Sequence, residues 1–232
     1  MANDNKKGLS TNSNAYTLIY AAVLVVIVAF LLSAVASSLK ERQESNERLD
    51  KKAQILSAIN VNDSEDVLAD YTKYVKKELM VNINGDVVSE EGGFDTDFKM
   101  AADEDHLPVY VCEVNGETKY IVPLRGAGLW GPIWGYVGLN DDKSKIYGIY
   151  FAHESETPGL GAEIVTDKFR EPFKGKDIKK GGEVVSVAVL KKGNKAEGQD
   201  QVDAISGGTI TSTGVHNMLK SCLEKYRNFL TK

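Results

Sequence analysis

The chain of 232 residues is 42% hydrophobic and 26% charged with a net charge of -5, which suits one well-cored globular domain. Its mildly acidic balance argues against broad electrostatic binding of nucleic acid, and five prolines among 21 glycines exclude a collagen-like chain. Two cysteines, Cys112 and Cys222, are too few for a disulfide framework, a cysteine-rich metal site or an iron–sulfur cluster.

Charge is unevenly spread. After a short tail (residues 1–14), no Asp, Glu, Lys or Arg occurs between Lys7 and Lys40. Residues 15–36 form an almost wholly apolar run, and about 20 such residues at 1.5 Å rise span a hydrocarbon core of roughly 30 Å. Tyr16 and Tyr20 stand near its start, at headgroup level. Ser33-Ala-Val-Ala36 resembles a signal cleavage site, but the run is long for a signal peptide. An uncleaved single-pass anchor is expected, ahead of a signal peptide or a buried core helix. Lys40, Arg42, Arg48, Lys51 and Lys52 outnumber Lys6 and Lys7, so counting positive charges alone keeps the large domain in the cytoplasm.

Residues 37–60 read as a charged helical stalk, with Leu49, Ala53 and Leu56 at helical spacing. Val61-Asn-Asp-Ser64 offers caps for a second helix whose apolar positions run from Val67 to Leu79. Beyond Met80 the period becomes two. Asn84-Gly85 and Asn115-Gly116 are hairpin signals, the second joining strands over Val109–Val114 and Thr118–Leu124. Further strands are expected over Ile133–Leu139, Ile146–Ala152 and Glu183–Leu190, a short helix over Ala162–Phe169, and a last helix over Ser212–Leu230. Short strands with helices at both ends suggest an α+β domain.

Three glycine-rich loops invite chemistry. Gly126-Ala-Gly-Leu-Trp-Gly131 matches G-x-G-x-x-G, but Pro132 and a strand-like alternation follow where a helix should open. Asp141 and Asp142 also come too early for a ribose contact, so a Rossmann site is rejected. The loop is either a plain turn or one that lets Trp130 approach a planar ligand. His153-Glu-Ser-Glu-Thr-Pro-Gly-Leu-Gly161 has a His and two Glu, yet the chain holds only three histidines and no second ligand cluster. No metal site is expected there. Asp203-Ala-Ile-Ser-Gly-Gly-Thr-Ile-Thr-Ser-Thr-Gly214 sits just ahead of the last helix. It lacks the G-K-[ST] ending of a P-loop. Two readings stay open: a capping loop, or a phosphate cradle at a helix N-terminus.

Asp203-x-x-Ser206-Gly207-Gly208-Thr209 resembles the flavinylation motif D-x-x-[ST]-G-A-T of bacterial FMN-binding domains. The anchor, the stalk ending Leu49-Asp-Lys-Lys-Ala-Gln-Ile-Leu56, Gly128-Leu-Trp-Gly131 and Glu156-Thr-Pro-Gly-Leu-Gly161 occur in the matching order. Together they resemble the C subunit of the sodium-translocating NADH:quinone reductases, with Gly208 replacing the usual alanine. The resemblance implies FMN held as a phosphoester on Thr209 by a flavin transferase. It implies that Asp203 helps hold the loop or assists the transferase, and that Ser206, Gly207 and Gly208 shape the phosphate turn. Thr211 and the helix-opening N–H groups would bond the phosphate. Glu156, Thr157, Gly159, Leu160 and Gly161 would border the isoalloxazine, with Leu129 and Trp130 as the opposite wall.

It also implies a twisted, mainly antiparallel sheet with flanking helices over residues 61–232. The chain would relay electrons in the bacterial inner membrane, with the flavin domain on the periplasmic side and the A, B, D, E and F subunits as partners. That side opposes the charge count, and the family's placement is preferred because long domains tolerate exceptions. Alternatives are the similar G subunit of an Rnf ferredoxin:NAD oxidoreductase and a tethered module without redox chemistry.

Overall fold

The computed structural model describes residues 11, 13–62, 64–96 and 106–232. Asp63 and nearly all of the expected tail lie outside the described residues. The chain divides into two compact units, Met1–Arg48 and Leu49–Lys232. Helix α1 (Asn14–Ser57) opens where the Ser13 hydroxyl oxygen accepts from the Tyr16 N–H at 3.2 Å. Its apolar side chains from Leu18 to Leu39 are exposed. That exposure excludes a core helix, and the helix is long and apolar enough to cross a membrane.

The border between the two units falls at Arg48–Leu49, so the end of helix α1 belongs to the second unit. Ile55, Leu56, Ala58 and Ile59 are buried in the second unit. Asn60 takes the left-handed conformation (φ 61°). The Val61 N–H bonds the Leu56 carbonyl and the Asn60 N–H that of Ser57, closing a Schellman motif.

The body of the second unit is one six-stranded sheet. Its strands are β1 (Val75–Val81), β2 (Val87–Ser89), β3 (Leu107–Val114), β4 (Glu117–Ala127), β5 (Pro132–Leu139) and β6 (Ile146–His153). They pair antiparallel in the order β2-β1-β3-β4-β5-β6. Asn115 and Gly116, both at positive φ, make the tight β3–β4 turn that the sequence signals. Each face of the sheet carries its own core. One gathers the α1 end and Tyr71 of helix α2 (Val67–Tyr74) over Tyr110, Ile121 and Tyr136. The other packs α4 (Thr209–Lys225) and α5 (Arg227–Thr231) over Val109, Val122, Leu124 and Val137. This is the expected α+β architecture.

Several expected boundaries shift. The second helix stops at Tyr74 instead of Leu79, and its cap is Asp66, whose carboxylate accepts from the Ala69 N–H, instead of Val61–Ser64. Val75 onward pairs with β3, and that ladder prevails over a weak local preference. The single strand over Glu183–Leu190 becomes two, because Ser186 turns left-handed (φ 66°). Strand β7 (Lys179–Lys180) pairs with β8 (Glu183–Val184), and β9 (Ala188–Leu190) pairs parallel with β10 (Gln201–Asp203). The short helix over Ala162–Phe169 is a 3-10 turn (Gly161–Val165) followed by α3 (Asp167–Arg170). The last helix begins at Thr209 instead of Ser212, and breaks at Tyr226.

Tyr226 is fully buried and its hydroxyl donates to the Pro108 carbonyl at 2.9 Å, tying the helix break to β3. Tyr226→Phe leaves that carbonyl unpaired and should cost about 1–2 kcal/mol in urea unfolding, without change in m-value.

Candidate functional site

Three segments meet at the start of α4. The loop after β10 reaches the helix through Ile205, whose N–H bonds the Ser212 hydroxyl at 3.0 Å, and through the Gly208 N–H on the Ile205 carbonyl. Gly207 lies at φ 79°, and a methyl there would stand 2.7 Å from Leu160 Cδ2. The loop therefore turns tightly under the second segment, Glu156–Gly161. The third segment is the β4–β5 connection carrying Leu129 and Trp130.

One carboxylate holds them together. Glu156 is 5% exposed. One of its oxygens accepts from the Trp130 N–H at 2.9 Å and the other from the Thr211 hydroxyl at 2.6 Å. The Glu156 N–H donates to His153 Nδ1 at 3.2 Å. Thr211, expected on a phosphate, is 1% exposed and spends its hydroxyl on this carboxylate. The residues around the carboxylate must be bare: a methyl on Gly161 would come within 2.3 Å of it, as would one on Gly128.

Burial works against the charge of Glu156, but the Thr211 hydroxyl, the Trp130 and Leu129 N–H groups and nearby His153 outweigh it and hold the carboxyl below its ordinary range. A lowered carboxyl pKa stabilises the fold fully above the unfolded value, roughly 4.3, and loses that contribution as pH falls through the folded value. Glu156→Gln should lower the thermal midpoint at neutral pH and flatten its fall on acidification, read by far-UV circular dichroism. An acid limb as steep as wild type would contradict the assignment.

Outside this clasp the surface is ready for an anionic group with a flat apolar body. Thr209 is exposed at the first position of a helix of 17 residues. Among the described residues no side chain caps that helix, and its first turn carries no acid. A free N-terminus of this kind favours phosphate. Leu129, Trp130, Leu160 and Ile210 stand exposed around it, Trp130 at 65%. The loop also borders a groove of about 1030 Å³, lined by Gly159, Asp203 and Ser206 together with Lys168, Lys176 and Lys192. Phosphate and isoalloxazine thus both find suitable surfaces.

The expected residues Leu129, Trp130, Glu156, Leu160, Gly161, Gly207, Gly208 and Thr211 are therefore brought into one constellation with Thr209. Thr157 is exposed and acts through its carbonyl, which accepts the Leu160 and Ala162 N–H groups. Ile210 and the three lysines lie outside the sequence expectation. Ile210 hides inside a hydroxyl-rich motif, and lysines spread from Lys168 to Lys192 leave no local pattern.

A family model described as FMN-binding domain matches residues 128–224, which contain every one of these positions. The crystal structure of the C subunit of the Na(+)-translocating NADH-quinone reductase from Parabacteroides distasonis is similar, with a TM-score of 0.80. It is 50% identical, and the match covers 84% of this chain and 98% of that one. NqrC from Shewanella oneidensis gives a TM-score of 0.69 at 26% identity, over 80% of this chain and 97% of its own. The C subunit of the Vibrio anguillarum reductase is 28% identical, with 87% of each chain covered.

Proposed function

The chain belongs to the C-subunit family of the Na(+)-translocating NADH-quinone reductases, and from that premise we propose that it carries FMN as a phosphoester on Thr209 and relays electrons within such a reductase. It is a membrane-anchored flavoprotein subunit, acting only inside a larger oxidoreductase. The observation that carries the attachment point is the exposed Thr209 hydroxyl at an uncapped, acid-free helix start.

Bound FMN supplies the electron-accepting and electron-donating chemistry. The chain's own residues do the rest. The N–H groups opening α4 would hold the phosphate, and Gly207 and Gly208 would let the backbone turn beneath it. Asp203 and Ser206 frame the loop toward the groove. Leu129, Trp130 and Leu160 offer apolar surface to the ring, bordered by Glu156, Thr157, Gly159 and Gly161. Covalent attachment removes the need for tight non-covalent affinity, so the site can be shallow and the ring accessible to partners. We assign the domain to the periplasmic side, the A, B, D, E and F subunits as partners, and a flavin transferase as the maturation enzyme.

The test is intact mass of the full chain coexpressed with a flavin transferase. Attachment replaces the hydroxyl hydrogen by the flavin phosphoryl group, so the gain is one FMN less one water. The denatured band should also fluoresce on a gel. A dark band of unmodified mass would refute the proposal.

A further inference from the structure

The bond network around Glu156 does more than pack a loop. The carboxylate is nearly sealed from solvent, and its two oxygens face different parts of the site. One side binds the Trp130 N–H at 2.9 Å; the other receives the Thr211 hydroxyl at 2.6 Å, two residues beyond Thr209. Trp130 is held from its other end too, because the Ser155 hydroxyl donates to its carbonyl at 3.0 Å. Its backbone is thus fixed on both sides while its indole stands 65% exposed. A side chain of that size, left in water on an immobilised backbone, is pre-organised for a planar contact. Gly128 and Gly161 have no side chain where the carboxylate passes, so this acid, threaded between two glycines, spans directly from the β4–β5 connection to the first turn of α4.

We propose that Glu156 is a positioning residue of the flavin site, whose carboxylate fixes the Trp130 wall at a set distance from the Thr209 tether. The ligand it serves is the isoalloxazine ring, and the proposal rests on the reading that FMN is carried by Thr209. Glu156 acts on the ring through Trp130 and Thr211. The covalent bond limits how far the flavin can travel; the clasp decides where the ring rests and how uniformly.

Thr211→Val is the sharpest probe, because valine keeps the shape of a threonine 1% exposed and removes only the hydroxyl that Glu156 receives. The full chain, coexpressed with a flavin transferase, should still gain one FMN less one water. Its flavin should lose most of its visible circular dichroism, which requires a fixed asymmetric setting, and its fluorescence anisotropy should fall. The reduction midpoint should shift as well. Thr211→Ser restores the hydroxyl and should restore all three signals. Glu156→Ala, which cuts both arms of the clasp, should lose them at least as fully.

Flavin-loaded Thr211→Val and Glu156→Ala proteins with wild-type visible circular dichroism would overturn the proposal. So would a Thr211→Val protein that folds, by far-UV circular dichroism, yet gains no flavin mass, because Thr211 would then serve attachment and not ring placement. Failure of the underlying reading looks different: the wild-type protein itself would show no added mass.

Discussion

Thr209→Ala leaves a folded domain with no attached flavin. The side chain is exposed at the first position of α4, where a threonine contributes packing of little consequence. An exposed change away from caps and core is worth about 0.5 kcal/mol or less. The loss of flavin should nevertheless be complete, because a phosphoester needs a hydroxyl oxygen and methyl supplies none. Neighbouring hydroxyls make the result informative. Ser206 and Thr213 are exposed, whereas Thr211 is sealed against Glu156. A fluorescent Thr209→Ala band would transfer the attachment to Ser206 or Thr213. Thr209→Ser keeps the oxygen and should regain fluorescence.

Gly135→Ala should have the largest effect on stability. Gly135 lies in the middle of β5, paired with Leu124 of β4 and Phe151 of β6. A methyl group there would fall 2.0 Å from the Tyr150 carbonyl oxygen and 3.2 Å from the Phe151 ring. The first neighbour is backbone in a strand fixed by its own ladder, so it cannot step aside as a flexible side chain would. Overpacking of well-packed cores typically costs about 1–3 kcal/mol and occasionally more. This site should lie at or above the top of that range, because relief requires β5 and β6 to separate. Urea unfolding of the second unit checks it. A midpoint within error of wild type would show that the two strands can part at little cost. Gly138→Ala meets the Ala58 carbonyl at 2.2 Å and should behave similarly, by lifting the end of α1 from the sheet.

The anchor and the hairpins are legible directly, because they depend on local composition. An uncharged run of hydrocarbon-spanning length has few other uses, and Asn115-Gly116 suits two successive positive φ angles. Val75–Leu79 reads as helix because its apolar residues fit both periods. Only the presence of β3 alongside makes it a strand, where Leu79 and Val81 turn inward. Glu183–Leu190 reads as one strand, and the break at Ser186 has no glycine or proline to announce it.

At the site, the ingredients are written in the chain: a threonine among glycines ahead of a helix, and two further loops with apolar residues. Each is a local pattern within about ten consecutive positions, which is why composition and spacing suffice to find it. The exact helix start is not local in this sense. Thr209 opens α4 instead of preceding it because helix starts depend on which N–H groups find partners in the folded chain. The inward turn of Glu156 is likewise a tertiary outcome. A glutamate in a surface loop is ordinarily solvated, and nothing nearby tells it that Trp130, 26 positions earlier, and Thr211, 55 positions later, will offer it donors. A buried charge persists only where such partners converge, and that convergence is a property of the folded sheet and helix, not of any segment.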